Sequence, residues 1–157
     1  MAAFALQSAM RRLTWPTWFL WLLLIIGCHR VSPIVGAWES PVTVKSVSGT
    51  SRIEFKEDGT YTGTVTFVAK NRIVVTDTGT WKLEDGNRLT SHTDDIRLGL
   101  FGSGPGLDRA LKTFQTGKSR MIADSNAHPT DVLTWHGDDS FSYVNQSGQT
   151  RTYHRVK

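Results

Sequence analysis

Apolar and polar positions follow two regimes along the chain, and they meet near residue 30. From Leu13 to Ile26 there is no charged residue, and the run closes on Gly27-Cys28. From Val31 onward the apolar residues are dispersed. Short segments rich in Val, Ile, Thr, Phe, Tyr and Trp recur between Gly, Asp and Asn turn signals, the period-two signature of half-buried strands. The pattern predicts a strand over 35–45, with Pro41 marking a bend or an edge because proline cannot donate to a ladder. A second follows over 52–56, with Ile53 and Phe55 on one face, and a third over 61–69, with Tyr61, Val65 and Phe67 opposite a row of threonines. Glu57-Asp58-Gly59-Thr60 supplies the hairpin between them. Ile73, Val75, Trp81 and Leu83 share a face of a strand over 73–83. Glu84-Asp85-Gly86-Asn87 then turns the chain into 88–93, and 96–101 follows after Asp94-Asp95. Gly102 to Gly106 reads as a loop, and Leu107 to Phe114 as the one helical turn. Strands are predicted again over 119–124, 131–135, 140–144 and 150–156. Eight to ten short antiparallel strands in sequence predict an all-β meander that closes into a small barrel, because closure removes exposed edges.

The uncharged run has a different reading. As a helix its 14 residues reach about 21 Å, too short for a hydrocarbon layer of about 30 Å. Met10-Arg11-Arg12 before it and a small residue after it give the plan of an export signal, one that is already complete from Met10. Ile25-Ile26-Gly27-Cys28 resembles the bacterial lipobox. That resemblance implies cleavage before Cys28 and diacylation of its thiol. It divides the chain into a signal peptide (1–27), a lipidated tether (28–33) and a barrel domain (34–157). Cys28 is the only cysteine, so no intramolecular disulfide forms, although an exported chain could have used one. His29 stands where many inner-membrane lipoproteins carry Asp. The expected destination in a two-membrane cell is therefore the outer membrane, facing the periplasm.

Three motifs in order carry a second resemblance: Gly36-Ala37-Trp38, then Phe55-Lys56-Glu57-Asp58-Gly59-Thr60-Tyr61, then Gly79-Thr80-Trp81-Lys82-Leu83 with Gly86 and Leu89 after it. They make the domain similar to the lipocalin-like domains of small bacterial lipoproteins, within the calycin group. The resemblance implies that Trp38 plugs the closed end of the barrel. It also implies that an arginine of the last strand, Arg155 or else Arg151, lies across that ring as a structural cation–π partner. The chain departs from true lipocalins in lacking disulfides and a C-terminal helix.

Charge and chemistry narrow the functions further. The formal charge of +4 falls to +2 once Arg11 and Arg12 leave with the signal peptide. The remaining basic residues are scattered, with Lys112, Lys118 and Arg120 alternating with neutral residues, so nucleic acid is not an expected partner. His92 with Asp94 and Asp95, and His128 with His136 and Asp138-Asp139, are the two polar constellations, and neither has metal-ligand spacing. No nucleophile elbow or phosphate loop is present, so neither enzymatic activity nor a cofactor or metal is expected. The aromatic residues Phe55, Tyr61, Phe67, Trp81 and Trp135 either fill the barrel or line a ligand cavity within it. Two functions follow. One is a binding module held on the lipid membrane by the acyl chains of Cys28, taking a small apolar or amphipathic ligand near the Gly102–Gly106 loop. The other is an interaction or inhibitor module with a filled barrel, directed at an envelope protein.

Overall fold

The computed structural model describes residues 31–44, 46–68, 71–145 and 148–157. The export signal and Cys28 lie outside the described residues. In chain order the elements are β1 (Gly36–Val44), β2 (Val47–Phe55), β3 (Thr60–Val68), β4 (Arg72–Glu84), β5 (Arg88–Phe101), α1 (Pro105–Asn126), β6 (Thr130–Val132), β7 (Thr134–Trp135), β8 (Ser140–Val144) and β9 (Thr150–Arg155). Every strand pairing is antiparallel, in the order β6-β5-β4-β3-β2-β1-β9-β8-β7. The two ends of that sheet, β6 and β7, are separated in sequence by Leu133 alone. One chain segment is thus bonded to β5 along its first half and to β8 along its second, and the meander becomes a nearly closed barrel. At the changeover Leu133 N–H donates to the Asn87 carbonyl at 2.7 Å.

Two elements differ from the sequence expectation, each for a definite reason. The strand predicted to break at Asp94-Asp95 is continuous as β5. Its pairing with β4 shifts between Thr78 and Gly79, leaving Asp94 as the extra residue of a bulge. Leu89 and Thr93 face the core before it, and Ile96 faces the core after it. A one-residue bulge flips the inward parity in this way, and to a period-two reading it looks like a strand end. The strand expected over 119–124 is instead the C-terminal part of α1. Leu107, Phe114, Lys118, Ile122 and Asn126 are half-buried at helical spacing, while the rest of the helix is largely exposed. Side-chain contacts seat this stripe on β5: Lys118 Nζ meets the Asp95 carboxylate, and Asn126 both accepts from Thr93 N–H (2.7 Å) and donates to its carbonyl (3.0 Å). Tertiary contacts override the local pattern here, and Gly117 within the helix does not end it.

The core is a chain of rings. Ile34, Trp38, Phe55, Tyr61, Leu89, Leu133, Phe141 and Tyr153 form one buried cluster. Trp38 meets Phe141 edge-on at 4.9 Å, and Phe141 stacks on Tyr153 at 5.4 Å. The end of the barrel where the chain enters is sealed by Trp38, which is fully buried and donates its indole N–H to the Ile34 carbonyl at 2.6 Å. The Arg155 guanidinium lies 4.2 Å from that ring's centroid. It also donates to the carbonyls of Pro33 (2.6 Å), Val35 (2.9 Å) and Asp138 (3.3 Å). Gly36, at φ 125°, has the backbone freedom this crossing needs, and a Cβ there would stand 2.8 Å from Arg155 Nη1. These contacts give the Gly36-x-Trp38 pattern its physical meaning. A lysine at 155 keeps the charge but cannot reproduce the fork. Arg155→Lys is therefore expected to lose about 1–2 kcal/mol of stability in urea unfolding, an effect that a purely electrostatic role for the charge would not produce.

Candidate functional site

A cavity of about 140 Å³ lies inside the barrel, walled by Ile53, Phe55, Tyr61, Asp77, Leu89, Ser91, Ser125, Asp131, Phe141 and Tyr143. It shares Ser91, Ser125, Asp131 and Tyr143 with a polar vestibule of about 380 Å³, which His128, Asn145 and Arg151 complete. The vestibule lies where α1 ends and by the β8–β9 hairpin, away from both the Trp38 plug and the Gly102–Gly106 loop. A larger cleft of about 610 Å³ lies on the outer side of the plug, against Pro33, Trp135 and Arg155. Its one cation, Arg155, is already committed to three carbonyls and an indole, so the interior cavity is the better candidate.

The sequence places two carboxyls on inward-facing strand positions. On β4, the half-buried Ile73, Val75, Trp81 and Leu83 and the buried Gly79 share a parity with Asp77, so the pleat that turns them toward the core turns Asp77 inward as well. Directly across the ladder stands Gly63. A Cβ there would lie 2.8 Å from Asp77 Cγ, so the missing side chain makes room for the carboxyl. On the closing segment, Asp131, Leu133 and Trp135 turn inward, while Val132 is 61% exposed. An aspartate inside and a valine outside reverse the usual preference. Among the described residues, neither Asp77 nor Asp131 forms an ion pair.

Burial raises the Asp77 carboxyl above its ordinary value, against the opposing pull of a hydrogen bond from Tyr61. Burial alone raises Asp131. The Tyr61 hydroxyl is pushed up to about 12, mainly by burial, and meets Thr93 Oγ1 at 2.9 Å; Thr93 Oγ1 in turn meets Ser125 Oγ at 2.9 Å. Tyr143 is likewise raised, first by burial and then by the neighbouring Tyr153 phenol and the Asp131 carboxyl, while Arg151 opposes.

A carboxyl whose folded pKa lies above its unfolded value holds its proton more tightly when folded. Stability therefore falls as pH rises through the window from 3.8, the unfolded value, to the raised folded value. Asp77→Asn and Asp131→Asn are accordingly expected to melt at higher temperature than the parent at neutral pH. The gain should vanish below the window; thermal melts across the acidic range will show it, and a uniform loss at every pH would refute the assignment.

The sequence-predicted residues divide between regions. Phe55 and Tyr61 line the cavity. Trp81 packs edge-on against Phe55 at 5.5 Å and spends its N–H on the Thr60 carbonyl at 2.9 Å. Phe67 lies over Gly49, where a Cβ would stand 2.8 Å from its ring. Trp135 lines the outer cleft, with its N–H on the Gly86 carbonyl at 2.8 Å. Of the polar constellations, His92 and Asp94 are exposed and 3.7 Å apart, and His136 meets the Ser142 hydroxyl at 2.8 Å. His128 lies in the vestibule, and no group of three potential metal ligands occurs among the described residues. Sequence reasoning missed Asp77, Asp131 and Tyr143. The available signal was a carboxylate at inward parity between apolar residues of the same strand. No protein-family model matches the chain, and no curated protein sequence matches it.

Proposed function

We propose that this protein is an exported, lipid-anchored binding protein, and that its barrel is a lipocalin-like module which takes a small amphipathic ligand without transforming it. The single observation behind the binding role is the interior cavity joined to a polar vestibule. A barrel evolved only for packing would fill inward positions with apolar side chains, whereas here two carboxyls and two tyrosines face a space. The support for the anchor is an export signal followed by Ile25-Ile26-Gly27-Cys28, with two acyl chains each contributing about 0.8 kcal/mol per buried methylene. Arg155 fixes the chain at Pro33 and Val35, on the plug end of the barrel. On this reading the aqueous compartment that the barrel domain occupies is the periplasm. The described helix adds no membrane span, since none of the described helices is long and apolar enough to cross a bilayer.

Intact-mass spectrometry of the membrane fraction tests the anchor. The chain is expected to begin at a diacylated Cys28, and the Cys28→Ala chain is expected to remain unlipidated with its signal uncleaved. An unmodified wild-type chain would refute the anchor.

A further inference from the structure

The polarity of the cavity specifies the ligand more narrowly than a barrel interior alone would. Asp77 and Asp131 reach it from β4 and β6, and neither has a cationic partner among the described residues. A neutral apolar guest would displace water from both carboxyls and return no hydrogen bond, leaving their desolvation uncompensated. An anionic guest would add repulsion in a confined, weakly screened space. A protonated amine resolves both difficulties. Its three N–H donors suit a carboxylate together with the hydroxyls of Ser91 and Ser125, which line the same space. The ring faces of Phe55, Tyr61, Phe141 and Tyr143 also line the space and attract a cation through their quadrupoles. Two carboxylates do not make a metal site, which would need more oxygen ligands than the described residues gather here.

We infer that the cavity takes a small organic amine, its ammonium group paired with one of the lining carboxylates, Asp77 or Asp131, and its carbon frame packed against Phe55 and Phe141. This rests on the binding role proposed above and names the chemical class of its ligand. Arg151 lines the vestibule with Asp131 and Tyr143.

Titration calorimetry on the purified full-length chain at neutral pH, with three molecules of nearly one shape, tests the inference: 2-phenylethylamine, 2-phenylethanol and 3-phenylpropanoate. The amine is expected to bind at least about tenfold more tightly than the alcohol, as charge-assisted hydrogen bonds imply, and the acid to bind most weakly. In the Asp77→Asn/Asp131→Asn double variant the amine is expected to lose that advantage while the alcohol binds as before. An alcohol or acid that matches the amine in the wild-type chain overturns the ammonium assignment and leaves the binding role standing. Failure of all three to bind overturns both. The wild-type comparison decides the matter even if the double variant does not fold.

Discussion

Trp38→Ala is expected to destabilise the barrel by about 3–5 kcal/mol, the cost of truncating a large, fully buried aromatic residue. The ring is completely inaccessible to solvent. Its removal empties the junction with Phe141 (4.9 Å) and Trp135 (6.0 Å), orphans the Ile34 carbonyl, and strips the Arg155 guanidinium of the face it covers. Because β1 meets β9 through only two paired positions, Trp38–Arg155 and Glu39–His154, the plug also fastens one of the barrel's short seams. A loss of this size would consume much of a small domain's stability of about 5–15 kcal/mol. Urea unfolding monitored by circular dichroism measures it. Trp38→Phe separates the two contributions: it retains an aromatic body but abandons the N–H bond to Ile34. A double cycle with Arg155→Lys should show coupling, because the two side chains touch.

The second large effect is expected at a glycine. Gly79→Ala should cost about 2–3 kcal/mol, in the range of overpacking a tight interior. Gly79 is buried at the β4 side of the bulge. A Cβ there would collide with the His92 carbonyl and stand 2.9 Å from Tyr61 Cε1. The obstacle is backbone on the neighbouring strand, so relief requires moving β5 away from β4 at the point where its parity changes. The contrast is Gly86, at φ 74° in an open turn, where a Cβ would meet nothing within 4 Å. Gly86→Ala meets only the left-handed backbone penalty, about 1 kcal/mol. Urea midpoints for the pair should therefore differ clearly; equal losses would mean that the close approach of β4 and β5 at the bulge carries no structural load.

Much of this architecture can be read from residue order. Strands with clean alternation and short Gly-containing turns, such as the Phe55–Tyr61 hairpin and the Leu83–Leu89 hairpin, are legible because local rules and global packing agree there. The β5 bulge was illegible because a single inserted residue at Asp94 mimics a break. The length of α1 was illegible because the contacts that seat it, Lys118 on Asp95 and Asn126 on Thr93, involve partners more than twenty residues away. The candidate site was harder still. Aromatic residues drew attention to the barrel interior, yet three of the five singled out spend their contacts elsewhere. The residues that give the cavity its character are two aspartates, which composition alone assigns to the surface. Only the inward parity of Asp77 among Ile73, Val75 and Trp81, and of Asp131 before Leu133, could have disclosed them.

Binding inside the barrel, with entry through the vestibule, is the feature on which the proposed function stands. Two-dimensional amide NMR of the isotopically labelled chain during titration with 2-phenylethanol, a neutral guest that makes no assumption about charge, tests it most directly. Saturable shifts are expected at Ser91, Ser125, Asp131, Tyr143 and their strand neighbours, with the residues of the outer cleft, Gly137 and Asp138, unmoved. Shifts centred on Gly137, Asp138 and Trp135, or none at saturating guest, would contradict it.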